Sequence, residues 1–270
     1  FDNADKASIL DGSMSSEWVE GHRLADLFTS EHFVAMYAYE MTWSNGNGHI
    51  NTFNTNGFQS RTQTEFSGYG TGLKNYYNAL KKDTGSISQF NHPSKTFGDY
   101  QDFAYYDEEI DSLITMIEVG NGEGAIGSSG YFRSYEYYTR ALDKGWHLAP
   151  TNNQDNHKGL WGNSNTGRTV ALADSLTREN IYDAMRNMRV YATEDNDLNI
   201  YYTLNENIMG TILPEGAVGN TAEIKVELKD PTDSKIGLVE VVVNGGLVVD
   251  KATVDSKEKT VEFSVPEEYS

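Results

Sequence analysis

The 270-residue chain carries 40 acidic against 21 basic residues, a formal net charge of −19, so it would repel a nucleic-acid backbone instead of tracking it, and no stable nucleic-acid partner is expected. The lack of cysteine removes disulfides, thiolate metal sites and cysteine nucleophiles together and leaves His, Asp, Glu and hydroxyls for chemistry. No apolar run approaches the ~20 residues that span a bilayer, and the acidic, Tyr- and Asn-rich composition points to an extracellular or cell-surface bacterial protein, with the cytoplasm as the alternative.

In chain order, Ser15 or Ser16 can cap a first helix whose buried stripe is Leu24, Ala25, Leu27 and Phe28. Phe33 to Tyr39 reads as a buried strand ending at Glu40. Gly72 to Lys82 is a short helix, and Ser86 to Phe90 is a strand stopped at Asn91-His92-Pro93 by the proline. Leu113 to Val119 is another buried run, Tyr131 to Asp143 a helix, and Trp146 to Ala149 the start of a strand leading into Asp155-Asn156-His157. Thr177 caps the last helix, with Ile181, Ala184, Met185 and Met188 inward. This alternation predicts repeated βα units. From Asn199 only strands are visible, at Ile200 to Leu204, Ala222 to Leu228, Val239 to Val243 and Thr260 to Val265, with turns at Asp230-Pro231 and Asn244-Gly245-Gly246. They suggest a small immunoglobulin-like sandwich cut short at Ser270.

Glu40, His49, His92, Asp155 and His157 each fall at or just beyond a predicted strand end, where the loops of an α/β barrel or sheet converge. Imidazoles and carboxylates suit Zn, Mn or Fe, and a carboxylate such as Glu40 can bridge two ions. Glu118, at the end of a buried strand, faces the same rim as a supporting or substrate-contacting group. Arg168 is a candidate anion contact because its guanidinium forks onto phosphate oxygens, with a structural salt bridge as the competing reading. His22 is expected on a solvated helix face, and His32 and His147 are expected to be structural. The tyrosines at 131, 135, 137 and 138 read as helix packing.

Four stretches carry a resemblance: Tyr37-Ala38-Tyr39-Glu40 with Gly48-His49-Ile50-Asn51, Gln89-Phe90-Asn91-His92-Pro93, Asn153-Gln154-Asp155-Asn156-His157, and Gly167-Arg168-Thr169 through Leu176-Thr177-Arg178-Glu179 to Arg189-Val190-Tyr191-Ala192-Thr193. Over roughly residues 1 to 200 the chain resembles the polymerase and histidinol phosphatase (PHP) superfamily of metallohydrolases, in the branch labelled CehA/McbA-like. The resemblance implies a distorted (β/α)7 barrel holding two or three divalent ions at its strand ends, and hydrolysis by an ion-activated water. By it, Glu40 would bridge the ions and His49, His92, Asp155 and His157 would be ligands, with Glu40 and Asp155 catalytic. The family's opening His-x-His and Asp-His motifs do not occur in this sequence. The first ~50 to 60 family residues, two βα units, are therefore expected to be missing from the chain, leaving fewer or weaker ions and reduced turnover.

The expected organisation is an N-terminally incomplete PHP-like hydrolase domain over 1–198 and a truncated β-sandwich over 199–270. The expected function is a metal-dependent phosphoesterase or ester hydrolase acting on a small molecule with Zn, Mn or Fe. The alternative is a non-catalytic binding or structural module of a larger surface protein.

Overall fold

A computed structural model describes residues 11, 13, 15–233 and 235–269. Its centre is a six-stranded mixed sheet. β1 (Ala38–Thr42), β2 (His49–Phe53) and β3 (Ile87–Asn91) run antiparallel to one another, and β3, β4 (Ile114–Asn121) and β6 (Ala149–Asn153) are parallel. The two-residue β5 (Phe132–Arg133) pairs with the last two residues of β4. β7 (Arg168–Ala171) and β8 (Val190–Thr193) form a separate antiparallel pair. The Thr169 hydroxyl ties this pair to β6 by accepting from the Asn152 N–H and donating to the Asn152 carbonyl.

The sheet is open, which corrects the expected (β/α)7 barrel. The chain between Thr42 and His49 is far too short for the crossover that parallel strands require. Gly46 and Gly48, at φ of 90° and 101°, turn it straight back as a hairpin. At the other edge β6 meets β7 and β8 through side chains, and the ladder does not close.

The helices sit where capping and apolar spacing allow. α1 (Ser16–Phe28) starts at Ser15, whose hydroxyl accepts from the Trp18 N–H. It buries Trp18 and Ala25, whereas the expected inward residues Leu24, Leu27 and Phe28 are exposed. α2 (Thr71–Leu80) buries Leu73, Tyr76, Tyr77 and Leu80. α3 (Tyr100–Phe103) is a left-handed turn, with φ from 55° to 60° at all four residues, and α4 (Glu108–Asp111) is one turn. α5 (Tyr135–Asp143) begins later than the sequence suggests because Phe132 and Arg133 are drawn into the sheet. α6 (Arg178–Arg186) is capped by Thr177 as expected.

Alternation along the strands gives the sheet two unlike faces. Met41, Ile50, Phe90 and Ile117 join Trp43, Tyr76, Tyr77, Phe103 and Trp146 in a dense aromatic core. On the other face Ile87, Met116 and Ala149 pack on Tyr182 and Met185 of α6. Along the same strands, toward the C-terminal ends of β3, β4 and β6, that face becomes polar, with Gln89, Asn91, Glu118, Thr151 and Asn153.

Beyond Asn199 the described residues form strands and turns, with single 3-10 turns at Asn244–Gly246 and Glu267–Tyr269. β9 (Asn199–Leu204), β10 (Asn207–Ile208), β11 (Thr221–Lys229) and β14 (Glu258–Pro266) form an antiparallel sheet in the order β10-β9-β11-β14. β12 (Gly237–Val243) and β13 (Leu247–Val254), joined through Asn244-Gly245-Gly246, form a hairpin that shares a core with it around Val254, Val261, Phe263 and Val265. β13 escaped the sequence reading because its apolar residues do not alternate cleanly. The hairpin tip reaches the first sheet's flank, where the Gly245 N–H donates to Asp143 Oδ1 at the end of α5.

Gly48 fixes the entry to β2. A Cβ there would stand 2.3 Å from Tyr100 Cε1, and φ is already left-handed. Gly48→Ala should lower the unfolding free energy by roughly 2 to 3 kcal/mol in urea titrations, whereas Gly127→Ala should cost only about 1 kcal/mol. Gly127 has φ of 81° but nothing within 4 Å of the added carbon. Equal losses would show that the contact with Tyr100 is unimportant.

Candidate metal centre

Glu40, His49 and His92 come together from three neighbouring strands. Glu40 is central in β1 and not beyond its end, and it lies across from Asn51, two residues along β2 from His49. His49 pairs in turn with Asn91, next to His92. Each of the three offers a ligand atom, and these atoms lie within 4.8 Å of one another. Glu40 Oε1 is 3.5 Å from His49 Nδ1 and 3.7 Å from His92 Nε2. The two imidazoles meet edge to face at 4.8 Å between centroids, walled by Phe97 at 5.3 and 4.6 Å.

The surroundings fix each group. His49 Nε2 faces the Trp43 carbonyl at 3.0 Å. A proton on Nε2 satisfies that contact, so Nδ1 is the ring atom that meets Glu40 and that an ion would take. The Tyr100 hydroxyl, presented by the left-handed turn of α3, reaches the carbonyls of both His49 and Asn91, at 2.7 and 2.6 Å. His92 itself takes φ of 28°, a conformation costly for a side chain bearing Cβ and one that concentrates at functional sites. Its Nε2 is the nitrogen turned toward Glu40, while Nδ1, on the other side of the ring, is buried without a hydrogen-bond partner among the described residues.

Electrostatics favour a cation at this point. Burial pushes the Glu40 carboxyl up, but donation from His49, His92, Thr42 and Asn91 outweighs it and holds the group far below the ordinary carboxylate range. Burial pulls the His92 imidazole down, and Glu40, Glu118 and Asp155 more than compensate, so it holds a proton more tightly than usual. A proton held this way occupies the place of positive charge that a divalent ion would take.

Glu118 lies behind His92. It is 2 % exposed and accepts from the His92 backbone N–H at 2.7 Å, from Asn121 at 2.9 Å and from Asn153 at 2.8 Å. Burial pushes its carboxyl up to about 7, against the pull of His92 and the two amides. It touches the ligands' supports and not the ligand atoms. A chain of amides links it to Glu40. Asn153 donates to Glu118 and Gln89, Gln89 to Asn91, and Asn91 to Glu40 Oε1 at 2.8 Å. Gln89, Asn91 and Asn153 lie inside the sequence motifs but are not residue types that the metal-ligand pattern picks out. Polar residues at alternate positions of a strand buried at every residue were the signal that marked them.

The other expected site residues fall outside this cluster. Asp155, at φ of 45°, acts on His92 through its charge, but its closest partner is His157, whose Nδ1 is 3.6 Å from Asp155 Oδ1. The His157 side chain is 76 % exposed. Arg168 directs its guanidinium to the carbonyls of Asn165, Gly167 and Gly162, which ties a loop and leaves little for an anion. His22, expected to be solvated, stacks on Tyr37 at 3.6 Å. His147 is structural as expected, with Nδ1 2.7 Å from Asp111. A second group, Asp195, Asp230 and Asp233, is all carboxylate and is tied up locally, with Asp230 accepting from the Asp233 N–H.

No family model matches this chain, and no curated protein matches it. Among solved structures, it is similar to a two-domain protein from Bacteroides vulgatus ATCC 8482 described as containing a predicted PHP-like metal-dependent phosphoesterase. That similarity is at 15 % identity and a TM-score of 0.46, over 93 % of this chain and 70 % of the other. So distant a likeness says nothing of this chain's chemistry, which rests on the geometry of Glu40, His49 and His92.

Proposed function

We propose that this chain is a metal-dependent hydrolase of small phosphoesters or esters, with one divalent ion held by Glu40, His49 and His92. The supporting observation is the convergence of one ionised carboxylate and two imidazoles within 4.8 Å of one another, with His92 Nε2 and His49 Nδ1 both turned toward Glu40 Oε1. The donor set is hard and borderline, which fits Zn, Mn or Fe. When bound, such an ion polarises the substrate oxygen and makes water acidic enough to attack at neutral pH.

The chain's own residues do the rest. Glu40 supplies fixed negative charge, held in orientation by Asn91 and Thr42. Trp43 and Tyr100 hold His49 through its ring and its carbonyl. Phe97 and Phe132, ring to ring with His92, keep bulk water off that flank. Asp155, which shares the rim, is the next carboxylate available to a second ion, with exposed His157 beside it. In this reading residues 1–198 carry the chemistry and 199–270 form an appended β module. Loss of ion binding on deleting 199–270, with the remaining circular dichroism unchanged, would count against that division.

Titration calorimetry with Mn or Zn should show one site of highest affinity, weakened at least ~100-fold in His92→Ala or Glu40→Gln. Affinity should fall as pH drops through the raised His92 value, because the ion must displace that proton. The wild type should hydrolyse bis(p-nitrophenyl) phosphate or a simple aryl ester and lose that turnover in EDTA. Ion binding unchanged in both variants would refute the assignment.

Glu118 gives a separate test in the metal-free protein. Its folded value near 7 lies above its ordinary 4.5, so its contribution to stability is complete below about pH 4.5 and is lost as pH rises through 7. The loss amounts to about 3 kcal/mol. Glu118→Gln, which cannot ionise, should lack this loss apart from a constant offset for its altered hydrogen bonds. Its unfolding free energy relative to wild type should therefore improve by about 2.5 kcal/mol between pH 5 and pH 8 in EDTA. A pH-independent difference in urea titrations would mean that the carboxyl is not held as described.

A further inference from the structure

A cavity of about 490 Å³ opens on the α6 face of the sheet, where its polar end meets the apolar side chains of Phe53, Met116, Ile181 and Met185, within the ~300 to 1,000 Å³ of small-molecule pockets. Its floor includes Asn51, Gln89, Thr151, Asn153 and Thr169, and Trp161 stands at its rim. Asn51 and Gln89 are cross-strand partners, and Asn51 also faces Glu40 in the register of β1 and β2. The cavity therefore adjoins the proposed ion.

Trp161 is 80 % exposed, whereas Trp18, Trp43 and Trp146 are 3 %, 2 % and 1 % exposed. An indole left in water forgoes the burial that stabilises the other three, and nothing in the fold requires it there. The loop that carries it is held firmly. Arg168 grips the carbonyls of Gly162, Asn165 and Gly167, the Asn165 amide donates to the carbonyls of Gly122 and Gly124 at 2.9 and 2.8 Å, and Gln154 donates to the Asn165 carbonyl at 3.1 Å. Trp161 is thus an aromatic surface presented on a fixed support.

The chemistry of the lining narrows what can lie against it. Arg168 is the only cation among the lining residues, and its guanidinium is occupied by three carbonyls, so the cavity offers no free positive charge to an anion. Asn51 is half-buried and its amide has no hydrogen-bond partner among the described residues, while Thr151 and Thr169 add hydroxyls to the floor. A neutral ligand with one C–H face for stacking on the indole and hydroxyls for the amide side satisfies both halves. That description fits a pyranose. We propose that this cavity binds the neutral sugar moiety of the substrate, stacked on Trp161 and hydrogen-bonded by Asn51. Only the sugar's role as leaving group rests on the hydrolase reading, and its binding does not.

The test uses the 270-residue protein with and without Mn, titrated with methyl β-D-glucopyranoside, methyl β-D-galactopyranoside and, as an apolar control, benzyl alcohol. Tryptophan emission should change saturably with at least one pyranoside, since Trp161 is the solvent-facing indole, and the change should persist in EDTA. By saturation-transfer NMR, Trp161→Ala should abolish that binding, Trp161→Phe should retain part of it, and Asn51→Ala should weaken it roughly fivefold or more. Binding of benzyl alcohol but of neither pyranoside, or pyranoside binding unaltered in Trp161→Ala, would overturn the proposal. Turnover of bis(p-nitrophenyl) phosphate without pyranoside binding would sink the sugar site alone. Pyranoside binding without turnover of the corresponding sugar phosphates would uphold the site and sink the hydrolase reading alone.

Discussion

β3 has to satisfy two environments at once, and the rest of the molecule is arranged around that requirement. Phe90 turns into the aromatic core against Tyr100, Phe103 and Trp146, while Gln89 and Asn91 turn to the opposite face and join Glu40 to Glu118. A buried strand of this kind is stable only if every polar atom on it finds a partner. The amide chain across β1, β3 and β6 provides those partners. The hydrophobic side then supplies the rigidity that holds imidazoles from two strands close to one carboxylate.

Two carboxylates on one face have been driven in opposite directions by their surroundings. Glu40 is surrounded by donors, two of them imidazoles, and stays ionised, whereas Glu118 is fully enclosed and is pushed up to about 7. The pair therefore carries close to one firm negative charge at the ligand position and a second, adjustable one behind it. That gradient draws positive charge toward Glu40 and His92 without requiring two unscreened anions side by side, which would be costly at such burial.

Much of the local structure was legible in the sequence. Ser15 and Thr177 announced their helices by capping, and β3 and β4 announced themselves by continuous burial. Glu40, His49 and His92, which the fold brings together as a candidate site, also stood out in the sequence, because they are residue types that can hold metals. Their arrangement in space did not. The hairpin between Thr42 and His49 depends on two left-handed glycines, and a loop-borne histidine and the first residue of a strand look alike in sequence. The barrel expectation failed for the same reason, since βα alternation does not reveal whether consecutive strands pair antiparallel. Asp155 and His157 look like one metal-binding motif in sequence, and in the structure they lie beside each other, His157 Nδ1 3.6 Å from Asp155 Oδ1, outside the group formed by Glu40, His49 and His92. The exposed position of Trp161 has no periodic signature at all.

The alternation of β3 also limits how this protein can change length over evolutionary time. Inserting or deleting one residue between Ile87 and Asn91 would exchange its faces, placing Phe90 among the amides and Gln89 in the aromatic core, so the polar face with its candidate ion site and the core would be lost together. In the connection between β2 and α2, residues 60–65 are exposed or half-buried and have no such coupling, whereas Phe58 and Phe66 on either side belong to the core. Lineages of this fold should therefore accumulate insertions there while β3 keeps a fixed length, and the spacing from Gln89 to His92 should be more constant than the identity of many residues around it.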